Sequence, residues 1–434
     1  MRKTTSKMWA AAAGVTGIAL LATACSGSSD TPGDDESEGG SENITLTLGT
    51  FNEPGYTDEM FAAYEAENPG ITIENKKAAT SNEARDNLNT RLAAGSGSSD
   101  IEMIEIDWLP ELMQYPDKFV DLTDPELADR WLPWKVEQAT TPDGILLGYG
   151  TDIGPEAIAF RGDLLAAAGL PSTREEVAEA IGGADATWES YFEFGRQYSA
   201  ASGGKPFFDS AGATYQGMIN QVKNAYEEED GTIIAAENPE VKAIYDAVTK
   251  ASVDDGLSAH LSQWSDDWAS SFQTDGFATM LAPGWMLGVI EGNSAGVTGW
   301  DIADVFPGGA GNWGGSFLTV PSQSKHPEEA KKLAAWLTAP EQQIAAYKSK
   351  GTFPSQVEAL ASDELLSSTN EFFNNAPAGQ ILANRAVGII APFKGKQYFA
   401  VNDAMQSSLT EVDVNGGDPA AAWDTFVSAV SALG

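Results

Sequence analysis

NITLTLGTFNEPG, at Asn43–Gly55, sets Ile44, Leu46 and Leu48 in alternation with Thr45 and Thr47, the pattern of a strand. Asn52-Glu53-Pro54-Gly55 then turns the chain into a helix carrying Met60, Phe61 and Tyr64 on one face. Asn68-Pro69-Gly70 stops that helix, and Ile71 and Ile73 begin a second strand. A second helix carries Leu88 and Leu92 and ends at Ala94-Gly95. IEMIEI at Ile101–Ile106 is a third strand. Strand, helix, strand, helix, strand is an α/β opening, with right-handed crossovers onto a largely parallel sheet. Ligands of such sheets gather beyond the carboxyl ends of the strands. Phe51, Asn52 and Glu53 follow the first strand, and Asp107 and Trp108 follow the third.

Upstream of Asn43 the composition changes. Ser26–Glu42 is rich in Gly, Ser and acid and has nothing large enough to bury, as in a flexible, self-repelling tether. Before it, Arg2, Lys3 and Lys7 precede an apolar run from Met8 to Leu21 and the small residues Ala22-Thr23-Ala24. That order describes a secretory signal over residues 1–24, and the run is shorter than the ~20 residues a membrane span needs. Cys25, the sole cysteine, follows directly. The arrangement resembles a bacterial lipobox, in which the thiol is lipidated, although Leu21 stands one place further from the cysteine than in that motif. The other reading is an ordinary secreted protein with an incidental cysteine.

Sixty-three acidic against 25 basic residues give a formal charge of −38. Phosphate backbones demand clustered Lys and Arg, so nucleic acid is excluded as a partner, as is docking on anionic lipid. One cysteine allows no disulfide and no thiolate metal centre. His260 and His326 are the only histidines, so a zinc site or a Ser-His-Asp triad would have to use one of them. No metal or cofactor is expected.

The middle of the chain reads as helical: Asp163–Gly169, Trp188–Ala201, Met218–Glu228 and Pro239–Val253. Phe317–Val320 reads as a strand, and Pro327–Leu337 as an amphipathic helix with Ala330, Leu333, Ala334 and Leu337 on one side. Gly292-Asn293-Ser294-Ala295-Gly296 fits G-x-S-x-G, but a nucleophile elbow needs a strand before it and a helix after, and Val297–Asp301 is not helical.

Four segments together resemble the extracellular solute-binding proteins of ABC importers, in the carbohydrate-binding group that includes maltose-binding protein. They are Gly97-Ser-Ser-Asp-Ile101 with Ile106-Asp-Trp108; Tyr149–Pro155 leading through Ala159–Leu164 to Ala168-Gly-Leu-Pro171; Gly276–Met280 with Pro283-Gly-Trp285; and Gly314–Phe317 through Ser324–Ala330. The resemblance spans Asn43–Gly434 and implies an α/β, two-lobed clamp with several interlobe crossovers, near Thr151–Pro155, Ile302–Val305 and Gly351–Pro354. Lobe 1 would be 43–152 plus 305–351, and lobe 2 would be 153–304 plus 352–434, with 25–42 as lipidated cysteine and tether. It implies a monomeric receptor, lipid-anchored on the outer face of the cytoplasmic membrane, that hands a sugar to the permease subunits.

Sugars present apolar C–H faces to aromatic rings and hydroxyls to carboxylates and amides. Trp285, which the resemblance sets on sugar, lies beside Pro283-Gly284 as if in a loop; the other reading is a core tryptophan. Asp107-Trp108 is either a hydroxyl partner and platform or a strand-end cap and core ring. Trp313 precedes Gly314, which would let backbone approach a ligand. Trp264 and Trp268 stand four apart on an expected helix, at most one of them in the cleft, and Trp268 is taken as the candidate. Asn52, Glu53 and Asp152 are candidate hydroxyl partners, and Tyr398 matches a family aromatic near the cleft. Several platforms favour a di- or oligosaccharide. The rivals are a secreted glycosidase with a cleft carboxylate pair and a binding protein for a non-sugar solute.

Overall fold

The computed structural model describes residues 43–434. The signal, Cys25 and the acidic tether lie outside the described residues.

The opening pattern folds as its periodicity predicts. Strands β1 (Ile44–Phe51), β2 (Ile71–Ala78) and β3 (Ile101–Glu105) are joined by helices Asp58–Glu67 and Ser81–Ala94. Thr57 and Thr80 cap the two helices, accepting from the backbone N–H three residues on, and Gly95 closes the second in the left-handed region at φ 69°. β1 runs parallel to both β2 and β3.

The sheet is then completed from far along the chain. With β4 (Gly148–Gly150), β5 (Asp152–Ile153), β6 (Glu156–Arg161), β7 (Thr279–Pro283), β8 (Trp300–Ala303), β9 (Ser316–Thr319) and β10 (Phe353–Pro354), its order is β2-β1-β3-β9-β4. β9 runs antiparallel to both neighbours, Glu102 opposite Thr319 and Gly148 opposite Thr319. The sheet is therefore mixed, because β9 arrives by a return crossing and not through a helical crossover. Leu46, Leu48, Ile104 and Phe317 pack with Phe61 and Leu88 of the opening helices and with Leu333 and Leu337 of helix Pro327–Leu337.

β6 is the centre of a second, antiparallel sheet, β7-β6-β8, and all six of its residues are buried. Its period of two divides two cores. Ile158 and Phe160 face a core with Tyr191, Phe207, Tyr215 and Met405. Ala157 and Ala159 face one with Trp268, Phe272, Met286 and Trp300. Between the sheets, β5 pairs antiparallel with β10, Ile153 opposite Phe353.

Several expectations need correction. Val305 and Phe306, at and just beyond the expected crossing Ile302–Val305, pack in the core with Ile158 and Phe160. The helix expected over Met218–Glu228 lies earlier, at Ala211–Ile219, capped by Ser210. Trp285 is no loop residue: Pro283 ends β7 and caps helix Gly284–Asn293, setting Trp285 in its first turn. The glycine beside it serves packing, since a Cβ on Gly284 would stand 2.7 Å from the Gly351 carbonyl. Ser294 of the G-x-S-x-G stretch follows a helix, is wholly buried and donates to the Ile290 carbonyl at 2.6 Å, so it forms no nucleophile elbow.

Candidate functional site

The strand ends of the first sheet and the helices of the second core enclose one large cavity of about 520 Å³, within the size range of small-ligand sites. From the first sheet come Phe51 at the end of β1 with Asn52 and Glu53 after it, Glu105 and Asp107 at the end of β3, and Ser81 and Asn82 at a helix start. Opposite them stand Gln216 of helix Ala211–Ile219, Gln263 and Trp264, and Phe399, Asn402, Asp403 and Gln406 of helix Tyr398–Asp413. Asp152, Trp313 and Gly314 of the crossing segments, with Trp285, close the ring.

The tryptophans form a connected wall. The Trp264 and Trp285 rings lie 23° from parallel with centroids 6.1 Å apart, and Trp313 meets Trp285 nearly edge-on at 5.7 Å. Trp285 Nε1 donates to the Trp313 carbonyl at 2.9 Å. Gly314 and Gly315, at φ 77° and 108°, bring the crossing backbone so close that a Cβ on Gly315 would meet the Asp152 carbonyl at 2.7 Å. Asn312 ties two crossings together, accepting from Gly154 N at 2.8 Å and donating to Gly314 O at 2.9 Å.

A buried charge network lies under this wall. The Lys394 ammonium, 3% exposed, pairs with Asp107 and sits 4.4 Å from the centroid of the Tyr398 ring. Burial alone would lower its pKa, but Asp107, Tyr398 and Glu105 outweigh burial and raise it. Glu105 accepts from Asp107 N at 2.8 Å; burial first, then the neighbouring Asp107 charge, pushes its carboxyl up to about 8. Lys135, 1% exposed beneath Asp152, is lowered by burial to about 7. Asp152 accepts from Thr151 Oγ1 at 2.7 Å and from Ser316 N at 2.9 Å, so it both lines the cavity and braces two crossings.

A carboxyl with a raised folded pKa contributes stability that is present below its unfolded value and lost as pH rises through the folded one. Glu105→Gln should therefore match the parent near pH 4 and gain on it as pH climbs to 8, by on the order of 4 kcal/mol. Urea denaturation across that range checks this, and a constant difference would contradict it.

Of the residues singled out from sequence, Asn52, Glu53, Asp107, Asp152, Trp285, Trp313 and Gly314 line the cavity together. Trp108, Trp268 and Tyr398 do not, each for a packing reason. Trp108, 1% exposed, donates from Nε1 to Ser81 Oγ at 2.9 Å and lies 6.4 Å from Phe51, supporting two lining residues from behind. Trp268, 1% exposed, donates to Asp209 Oδ2 at 2.9 Å in the core. Tyr398, 2% exposed, packs against Tyr226 at 5.1 Å.

The cavity ring is Trp264, which is 47% exposed and stands outside the helix at φ 71°. Helix Asp266–Ser271 starts after its cap Ser265, so the serine before Asp266-Asp267 was the signal that separates the pair. Phe399, Asn402, Asp403 and Gln406 were also missed, although their i, i+3, i+4, i+7 spacing puts one aromatic and three polar groups on a single helix face. His260 Nδ1 lies 3.0 Å from Asp413 Oδ1. His326 caps helix Pro327–Leu337. Among the described residues no group of His, Cys, Asp and Glu is arranged to hold a metal.

The wall offers flat faces to C–H surfaces, and the amides, carboxylates and hydroxyls around it offer partners to many hydroxyl groups. The sequence profile of the bacterial extracellular solute-binding proteins matches residues 59–374. An arabinooligosaccharide-binding protein of Bacillus subtilis (strain 168) is 26% identical over 332 residues, 71% of this chain and 72% of its own. A solved extracellular solute-binding protein of family 1 is 47% identical with a TM-score of 0.80, over 90% of this chain and 99% of its own. The ABC-transporter-associated binding protein from B. animalis subsp. lactis Bl-04, solved with beta-1,6-galactobiose, shares the fold at 20% identity and a TM-score of 0.76, over 90% and 96% of the two chains.

Proposed function

The chain belongs to the bacterial extracellular solute-binding proteins, and on that premise we propose that it is the receptor of an ABC importer, capturing a di- or oligosaccharide outside the cytoplasm. The observation that carries this reading is the wall of Trp264, Trp285 and Trp313 in one cavity with six amide and carboxylate residues, Asn52, Asp107, Gln216, Gln263, Asn402 and Gln406. Stacking platforms beside many hydrogen-bond partners suit a polyhydroxylated chain of more than one ring. The ligands named for the relatives, an arabinooligosaccharide and beta-1,6-galactobiose, have this chemistry.

In this reading the ligand is trapped by closure of two lobes about the chain crossings. One lobe is built on Asn43–Asp152 with the return segment that ends near Gly351; the packing of Val305 and Phe306 favours starting that segment near Gly311–Ser316. The other lobe takes the remainder. A lipid on Cys25 moors the protein, and the acidic tether lets it reach the permease as a monomer. The protein performs no catalysis. Three carboxylates of the cavity wall are engaged, Asp107 by Lys394, Asp152 by Thr151 and Ser316, and Glu53 by Lys77 and Lys350, which disfavours a catalytic pair among them.

Arabino- and galacto-oligosaccharides at a hundred times their dissociation constant should stabilise the protein by ~2.7 kcal/mol, read as a thermal shift. No shift with any oligosaccharide would overturn the reading, and release of shorter sugars that stops on mutating Asp107 would replace it with hydrolysis.

A further inference from the structure

Among the described residues, those that line the cavity include six carboxyl groups, of Glu53, Glu105, Asp107, Asp152, Asp403 and Asp413, and no Lys, Arg or His. The cations nearest to it are all engaged by other groups. Lys394 is held by Asp107; Lys77 and Lys350 by Glu53; Arg85 by Glu111, at 2.7 Å. Lys135 lies buried over the Phe317 ring, 3.8 Å from its centroid. Asp403 is exposed and takes part in no ion pair among the described residues.

We propose that this cavity selects its ligand by charge, admitting uncharged or amine-bearing oligosaccharides and rejecting those that carry a carboxylate, sulfate or phosphate. The inference rests on the oligosaccharide reading above and narrows it. An anionic sugar entering the cavity loses water and meets amides, hydroxyls and indoles, but no cation to replace that hydration. Asp403, which no cation compensates among the described residues, then adds like-charge repulsion at the rim. A neutral ring meets neither cost. An ammonium group has carboxylates to pair with. The selectivity is built from repulsion as much as from contact.

The test begins with the tightest binder among neutral arabino-, galacto- and gluco-disaccharides, found by calorimetry at pH 7. Its primary hydroxyl is oxidised to give the matched uronate. The uronate should bind at least tenfold more weakly, and Asp403→Lys should narrow that ratio. Equal or tighter binding of the uronate overturns the charge selection and leaves the oligosaccharide reading standing. The same holds if only acidic sugars bind. Failure of every sugar, neutral or acidic, overturns the oligosaccharide reading and the selection with it.

Discussion

Trp264→Gly is expected to weaken oligosaccharide binding by about 30-fold or more (~2 kcal/mol) while leaving the fold within about 1 kcal/mol of the parent. The two halves of that result come from one geometric fact. Trp264 is a bulky side chain at φ 71°, half exposed, in a region that costs an L-residue roughly 1–2 kcal/mol and costs glycine almost nothing. Its own packing, on Trp285 at 6.1 Å and Trp268 at 5.3 Å, is worth a similar amount. Relief of strain and loss of packing therefore nearly cancel. A strained aromatic on a cavity rim, with so little return in stability, points to a role in holding a ligand. Calorimetry with the tightest sugar and urea denaturation of the same variant read both halves. Unchanged affinity, or a stability loss of the ~3–5 kcal/mol typical of a core tryptophan, would refute the assignment.

Lys394→Met is expected to destabilise the protein by about 3 kcal/mol at pH 7, because it leaves the half-buried Asp107 carboxylate without its partner. The pH dependence has a definite sign. A lysine whose folded pKa is raised contributes stability that is fully present below its unfolded value, ~10.4, and is lost only as pH rises through the folded one. The deficit of the variant is thus complete at pH 7. It should shrink only as pH rises past the unfolded value, where the lysine itself begins to lose its proton. Adding Asp107→Asn should restore much of it at neutral pH, since removing both charges costs less than stranding one. Denaturation of parent, single and double variants at pH 7 checks this. A double variant no more stable than Lys394→Met would show that the lysine acts by packing alone.

Elements that bury their apolar face locally could be read from sequence. Leu46 and Leu48 alternate in β1, Thr57 and Thr80 cap the helices, and Gly95 marks a helix end, so the order of the first elements was legible. The antiparallel insertion of β9 was not, because Glu102 and Thr319 are brought together by the path of the whole second sheet. The site divides in the same way. Loop residues at strand ends, Asn52, Glu53 and Asp107, follow from the α/β pattern alone. The tryptophans do not, since an indole is equally at home in a core and on a rim. What distinguishes Trp108 and Trp268 from Trp264 is a side-chain acceptor for the ring N–H, Ser81 in one case and the buried Asp209 in the other. Those partners lie 27 and 59 residues away in the chain.

The late arrival of β9 bears on how the molecule is made. A chain emerging from its amino terminus can assemble β1, β2 and β3 early, but the free edge of β3 stays open until Ser316–Thr319 has been synthesised. Throughout that interval the open edge is a template for another chain, and the apolar faces of Ile101 and Ile104 lack the cover of helix Pro327–Leu337. Closing so long a loop is slow, because its entropy is lost before any contact is gained. Nascent copies are therefore most prone to aggregate between the third strand and the ninth. A variant truncated before Ser316 should be recovered as aggregate, not as a folded first half.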